Sequence, residues 1–198
     1  MDENTTPTAA GPAAAQSGGA PVQPIFTIGH STRPLEQFIA LLRDHGVALV
    51  ADVRTVPRSR HNPQFNRETL PAALAEAGIG YSHLADLGGL RHTTAASINT
   101  GWRNDSFRGF ADYMQTEGFA AGLAELLALA QQGPVAIMCA EAVPWRCHRS
   151  LIADALAVRG VAVEHIIGAG RTQPHSLTPF AHVEGTRITY PGSEETSE

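Results

Sequence analysis

Residues 133–160 read GPVAIMCAEAVPWRCHRSLIADALAVRG. Gly133-Pro134 breaks the element before it. Val135 to Met138 is then apolar without interruption, the pattern of a strand buried on both faces. Cys147 to Val158 carries apolar residues at helical spacing and stops at Gly160. A further apolar run, Val161 to Ile167, ends at Gly168-Ala169-Gly170-Arg171. A buried strand, a loop, a helix and another buried strand form the repeating unit of a parallel sheet.

The same unit recurs upstream. Ile25 to Ile28 is a β-type run ending at Gly29-His30. Ser31 or Thr32 stands where a helix cap belongs, with Pro34 in the first turn and an apolar stripe of Leu35, Phe38, Ile39 and Leu42. His45-Gly46 ends that helix. Val47 to Val53 is a second buried run, followed by a polar loop from Thr55 to Asn66, a helix from about Arg67 to Ala77 and a short strand over about Gly80 to Leu84. A long irregular stretch, Asp86 to Ser106, precedes helices at Phe107 to Met114 and Glu117 to Gln131. Loops of that length inside a compact domain are usually functional. Here Gly88-Gly89-Leu90-Arg91 and Trp102-Arg103-Asn104 are candidates for a lid. The order β-α-β-α-β-α-α-β-α-β predicts an α/β, Rossmann-like, three-layer domain with a mostly parallel five-stranded sheet and helices on both faces. The segment from Arg171 to Tyr190 is less regular.

The tails differ in composition from this body. Residues 1–24 are mostly Ala, Thr, Pro, Gly, Ser and Gln, and 191–198 read PGSEETSE. Neither holds enough apolar surface to offset the entropy of ordering, so disorder is expected in both, around a single domain at 25–190. The net charge of -5 over 198 residues resides in the tails, through Asp2, Glu3, Glu194, Glu195 and Glu198. Without them, acids and bases balance.

All 14 basic residues are arginine. The absence of lysine excludes Schiff-base and pyridoxal-phosphate chemistry and the lysine of a P-loop. Any anion must be held by Arg, His or backbone amides. No run approaches the length of a membrane-spanning helix, and the N-terminus lacks the pattern of a secretory signal. With only Cys139 and Cys147, the chain is no disulfide scaffold, and a reducing, cytoplasmic compartment is expected.

Ligands of parallel sheets bind at the carboxyl ends of the strands. Here those ends carry His30 and Ser31, Asp52 and Arg54, His83, Cys139 and Glu141, and Gly168 to Arg171, which are expected to converge on one edge. The densest cluster is Cys139, Glu141, Arg146, Cys147, His148 and Arg149. A thiol at a helix N-terminus beside Arg and His is acidified, and the same position attracts anions. Glu141 and His148 are candidate proton carriers. A buried, inert role for either cysteine is the plain alternative. Spacing from Cys139 to Arg146 is one residue too long for a cysteine phosphatase, and Pro144 removes an amide that a persulfide-carrier loop would use. Zinc on Cys139, Cys147, His148 and a fourth ligand such as His30 lacks the usual short Cys spacing, so no metal or cofactor is assigned. Arg54, Arg58, Arg60 and Arg67 form a second cluster with no acid between Asp52 and Glu68. It suits phosphates, either of a small ligand or of nucleic acid, although Asp52 and Arg54 share a strand face and can pair with each other.

Together, Thr27-Ile28-Gly29-His30-Ser31, Asp52-Val53-Arg54, Pro57-Arg58-Ser59, Phe65-Asn66, Leu87-Gly88-Gly89, Phe107-Arg108-Gly109-Phe110, Tyr113-Met114 and the series Cys139-x-Glu141-x5-Cys147-His148-Arg149 resemble the domain-of-unknown-function-488 family (DUF488) from about Ile25 to Tyr190. The resemblance implies a bacterial or archaeal cytosolic α/β domain and implies that Gly29-His30-Ser31, Asp52-Val53-Arg54, Cys139, Glu141 and Cys147-His148-Arg149 share one site. It carries no catalytic role, since the family's activity is not established. The residues themselves suggest a thiol-dependent enzyme acting on an anionic, nucleotide-like or nucleic-acid-like substrate. Cys139, Glu141, Cys147, His148 and His30 are its candidate catalytic groups, and Arg54, Arg58, Arg149, Asp52 and Ser31 hold the anion. A non-catalytic anion- or nucleic-acid-binding module and a redox or metal sensor are the alternatives.

Overall fold

The computed structural model describes residues 23–192. The expected disorder of 1–24 and 191–198 therefore falls, apart from residues 23, 24, 191 and 192, outside the described residues.

Five parallel strands form the body of the sheet: β1 (Ile25–Gly29), β2 (Leu49–Asp52), β3 (Gly80–His83), β4 (Val135–Cys139) and β5 (Val163–Gly168). A sixth, β6 (Arg171–Pro174), runs antiparallel to β5, and the order is β3-β2-β4-β1-β5-β6. The sheet thus has one strand more than the sequence predicts. Arg171-Thr172-Gln173-Pro174 shows no apolar alternation, and its pairing comes from a tight return through Gly170, whose φ of +57° suits glycine. A small hairpin, β7 (His182–Glu184) with β8 (Arg187–Thr189), follows.

The helices are α1 (Leu35–Asp44), α2 (Leu70–Glu76), α3 (Asp105–Tyr113), α4 (Glu117–Ala130) and α5 (Arg149–Ala157). Alternation along the buried strands separates two cores. Ile28, Val50, Ala136 and Met138 face α1 and α2, packing with Phe38, Leu42, Leu70 and Leu74. Ala51, Val53, Val135, Ile137 and Cys139 face α3, α4 and α5, packing with Phe110, Leu123 and Leu151. This is the three-layer arrangement expected. Neither Ser31 nor Thr32 caps α1: its N-cap is Pro34, which makes no side-chain hydrogen bond. True caps occur at α3, where Asn104 accepts from Ser106 and Phe107, and at α4, where Thr116 accepts from Phe119.

The strand order positions the site. The chain leaves β1, fills β2 and β3, and returns as β4 into the place between β1 and β2. Register sets Gly29 beside Cys139, and Asp52 beside both Met138 and His83. Four strands therefore end flush. Beyond them, the loops after β1 and β4 are tied together by His30 N–H to the Cys139 carbonyl (3.0 Å) and Ser31 N–H to that of Ala140 (2.8 Å). A Cβ on Gly29 would sit 1.8 Å from the Glu141 carbonyl oxygen, so only glycine allows this approach.

Candidate active site

A cleft of about 810 Å³ opens at this edge. Its walls are the segments after β1 (His30, Ser31, Thr32), after β2 (Arg54 to Ser59 in part, and Asn62) and after β4 (Cys139 to Val143, then Arg146 to His148). Gly89, Leu90, Ser106 and Phe107 close the remaining side. The ends of β3 and β5 do not reach it. His83 instead donates from Nε2 to the Arg54 carbonyl, 2.8 Å away. Gly168 and Ala169 line a separate hollow with Arg33 and Asp44. Convergence of all five strand ends is thus corrected to three.

After β2, Asp52 and Arg54 form a buried ion pair. Nε and Nη2 of Arg54 donate to Oδ1 and Oδ2 of Asp52 at 2.9 and 2.6 Å. Arg54 Nη2 also reaches the Phe65 carbonyl at 2.7 Å, and Tyr81 donates its hydroxyl to Asp52 at 2.7 Å. Burial works against the Arg54 charge, but Asp52 outweighs it and raises the pKa above its ordinary value. His30 completes the cluster. Its Nδ1–H donates to the Ser31 carbonyl at 2.8 Å, leaving Nε2 to accept from Arg54 Nη1 at 3.3 Å. The ring stacks on Phe65 with centroids 4.3 Å apart. Burial lowers its pKa to about 4, so it is neutral at pH 7. Ser31 has a φ of +50°, an uncommon conformation outside glycine, held by the two tied loops.

After β4 the chain makes a 3-10 turn, Pro144–Arg146, and α5 begins at Arg149 with His148 as N-cap. Cys147 is therefore extended and lies just ahead of the helix, whereas the sequence placed it in the first turn. Its sulfur is 3.6 Å from His148 Nδ1 and accepts from Arg149 Nε at 3.4 Å. His148 Nε2 lies 3.1 Å from the Val53 carbonyl, so it carries the proton and Nδ1 faces the sulfur. Arg149 Nη2 donates to the backbone carbonyl of Glu141. The carboxylate of Glu141, in contrast, is exposed in the cleft and forms no ion pair among the described residues.

Arg149 is only 1% exposed. Among the described residues no carboxylate oxygen lies within 4.0 Å of its guanidinium. A buried cation needs a counter-charge, and among the described residues the one ionisable group it hydrogen-bonds is Cys147. The two thiols divide accordingly. Hydrogen bonding from Cys139 holds Cys147 well below the ordinary thiol range; burial opposes this, while His148 and Arg149 reinforce it. The same hydrogen bond, together with burial, raises Cys139. The two sulfurs, within 4.8 Å of each other, are thus pushed in opposite directions, Cys147 towards the thiolate and Cys139 towards the thiol.

Donor atoms of Cys139, Cys147 and His148 lie within 4.8 Å of one another, forming the one such cluster among the described residues. His30 is not part of it. With the Arg149 guanidinium against the Cys147 sulfur, the surroundings favour a thiolate over a second cation.

Among the remaining candidates, Arg58 and Arg146 line the cleft, are exposed and form no ion pair among the described residues. Of the two proposed lid segments, Gly89-Leu90 lines the cleft, whereas Trp102 packs with Phe107, Phe180 and Tyr190. The stretch between them is fastened to Asp112, which accepts from Thr94 N (3.0 Å), Ser97 Oγ (2.6 Å) and Asn99 Nδ2 (2.7 Å). Three contacts lie outside the sequence reading: the Val53 carbonyl on His148, Thr27 on Arg149, and Gly89 packed on His148. Thr27 and Gly89 stand within motifs of the sequence without these roles, and the Val53 carbonyl leaves no signal.

No helix among the described residues is long and apolar enough to cross a membrane. No curated protein and no solved structure matches the chain. A family model described as "Domain of unknown function DUF488" matches residues 34–156, which includes Asp52-Val53-Arg54, Gly88-Gly89 and the whole segment from Cys139 to Arg149. With more than half of its length matched, the chain belongs to the DUF488 family.

Proposed function

We propose that this protein is a thiol-dependent enzyme acting on an anionic substrate, with Cys147 as nucleophile. The observation that carries this reading is the buried Arg149 guanidinium, whose one ionisable hydrogen-bond partner among the described residues is the Cys147 sulfur, 3.4 Å away. His148 takes the thiol proton on Nδ1. The Cys147 thiolate then bonds to an electrophilic atom of the substrate while the bond to the leaving group breaks, and His148 returns the proton to that group. Water attacks the covalent intermediate, gives its proton to His148 or Glu141, and frees the sulfur. Cys139 steadies the thiolate through its S–H. Asp52 and His30 hold Arg54 at the cleft wall.

Arg58 and Arg146 supply the unpaired positive charge, Ser31 and Asn62 add polar groups, and Val56, Leu90 and Phe107 form an apolar rim. A charged base with an apolar rim suits a phosphate-bearing ligand with a flat apolar part, such as a nucleotide or a nucleic-acid end.

Titration of thiolate ultraviolet absorbance tests the reading. Wild type should show a step well below the ordinary thiol value of about 8.5, absent from Cys147→Ser. A single step near that value in wild type would remove the nucleophile. Iodoacetamide followed by peptide mass mapping should then place the modification on Cys147. Salt-sensitive anion binding that survives Cys→Ser at both positions, with no thiolate step, would favour the binding module.

A thiol–disulfide sensor is the second reading, favoured by two sulfurs within 4.8 Å. Peroxide would convert the Cys147 thiolate to a sulfenic acid, and Cys139 would displace water to close the disulfide. The net loss of two hydrogens, read by mass after non-reducing digestion, identifies it.

A further inference from the structure

A chain of hydrogen bonds leaves Arg149 on the side away from the cleft. Arg149 Nη1 donates to Thr27 Oγ1 at 3.4 Å, and Thr27 Oγ1 lies 2.7 Å from His165 Nδ1. His165 Nε2 lies 3.1 Å from His175 Nδ1, and His175 Nε2 lies 2.8 Å from Asp154 Oδ1. With one proton on each ring, the two ends set the direction of every bond between them. A guanidinium only donates and a carboxylate only accepts. Thr27 therefore donates to His165, His165 to His175, and His175 to Asp154.

Asp154 is fully buried and also accepts from Thr178 N (3.0 Å), Thr178 Oγ1 (2.7 Å) and the Tyr190 hydroxyl (2.8 Å). Its lone pairs are thus satisfied as a carboxylate. His165 stays neutral at pH 7: burial, then His175 and Arg149, lower its pKa to about 4. A buried cation and a buried anion terminate the relay, and Thr27, His165 and His175 between them do not line the cleft.

We propose that Thr27, His165, His175 and Asp154 form a positioning relay that holds the Arg149 guanidinium against the Cys147 sulfur and thereby sets the acidity of the thiol. The inference rests on the thiolate reading above. Each donor in the relay makes the oxygen or nitrogen before it a better acceptor, so the Thr27 hydroxyl oxygen is a fixed, polarised anchor for Nη1. With Nη1 on Thr27 and Nη2 on the Glu141 carbonyl, the planar fork has one orientation left, and Nε points at sulfur. The thiol region is flanked by Cys139 on β4, His148 at the N-cap of α5 and Arg149 in its first turn, with His30, Arg54, Arg58, Glu141 and Arg146 lining the cleft beside it. Of these only Arg149 touches the relay, so a change there reaches the sulfur through Arg149.

The test compares thiolate titrations of wild type, Thr27→Val, Thr27→Ser and His165→Gln. Valine is near in volume but removes the hydroxyl; serine restores it. The relay predicts a midpoint up by about half to one pH unit in Thr27→Val, which is a threefold to tenfold loss of thiolate in the acid limb. Thr27→Ser should return most of it, and His165→Gln should shift in the same direction. Thermal melting checks folding, and His165→Gln carries the test alone if Thr27→Val does not fold. A low wild-type midpoint that neither variant moves, despite lower melting temperatures, would make the network a structural staple of α5 to the C-terminal segment and overturn the inference alone. An ordinary wild-type midpoint overturns both readings, because nothing is then tuned.

Discussion

His148 donates from Nε2 to the Val53 carbonyl at 3.1 Å, and this single contact turns the opposite ring nitrogen, Nδ1, towards Cys147. A histidine following a nucleophile in sequence has no fixed tautomer. Here the end of β2 supplies one, in the way a carboxylate does in a catalytic triad. His148→Phe keeps a ring beside Phe110, whose centroid is 5.0 Å away, but loses both nitrogens. Alkylation of Cys147 by iodoacetamide at pH 7 should fall by about tenfold or more, within the usual range for loss of a proton carrier. An unchanged rate would leave His148 as packing.

Gly89 is the other constraint on that ring. A Cβ there would lie 2.4 Å from His148 Nδ1 and 2.6 Å from its Cγ. Gly89→Ala must push the imidazole off Val53 or move the loop. A cost of about 1–3 kcal/mol in urea unfolding is expected for such overpacking, with a loss of Cys147 reactivity close to that of His148→Phe. Gly29→Ala is more severe, since its Cβ meets the Glu141 backbone rather than a side chain. Little soluble protein is expected from it.

Asp52 and Arg54 give a stability prediction. Both are buried, and Asp52 is the only carboxylate on Arg54 among the described residues. Asp52→Asn leaves a buried guanidinium without a counter-charge and should cost about 3–5 kcal/mol. Tyr81→Phe, which removes one hydrogen bond to the same carboxylate, should cost about 1 kcal/mol. Chemical denaturation of the two variants separates these sizes; equal small losses would show that water reaches the pair.

Much of this arrangement is written locally. Val135 to Met138 is legible as a doubly buried strand because a parallel strand between two helix layers has no polar face. Asp52 and Arg54 are legible as a pair because alternate strand residues share a face. Loop conformation is what sequence does not carry: the extended Cys147 and the approach of the two sulfurs to within 4.8 Å depend on how Pro144–Arg146 turns. Arg149 meets the carbonyl of Glu141, a group every residue has, so the side chain drew attention that the backbone merited. The relay is less legible still. His165 and His175 are ten residues apart and meet because β6 folds back on β5, with His165 opposite Gln173. β6 itself has no apolar pattern to announce it.

The same buried imidazoles set an acid limit. His30 and His165 are each lowered to about 4, in both cases chiefly by burial, against about 6.5 in an unfolded chain. Between those values the unfolded state binds more protons, so stability rises with pH across the window. Above about pH 6.5 neither group contributes a penalty; below about pH 4 the full penalty is present. Urea midpoints should therefore fall steadily from pH 6.5 to pH 4.5; from pH 6.5 to pH 8 the two imidazoles add no slope, and the rise that remains there comes from Cys147, lowered in the folded protein but still a protonated thiol in the unfolded chain. Asp112 adds in the same direction: burial opposes its charge, but hydrogen bonds from Ser97, Thr94, Asn99 and Thr93 win and lower its pKa. His165→Gln removes one titrating imidazole and should flatten the slope, while Asp112→Asn should leave the part of the slope above pH 5 intact. A wild-type midpoint that holds constant down to pH 4.5 would mean that His30 and His165 take up protons in the folded protein, and hence that water reaches both rings.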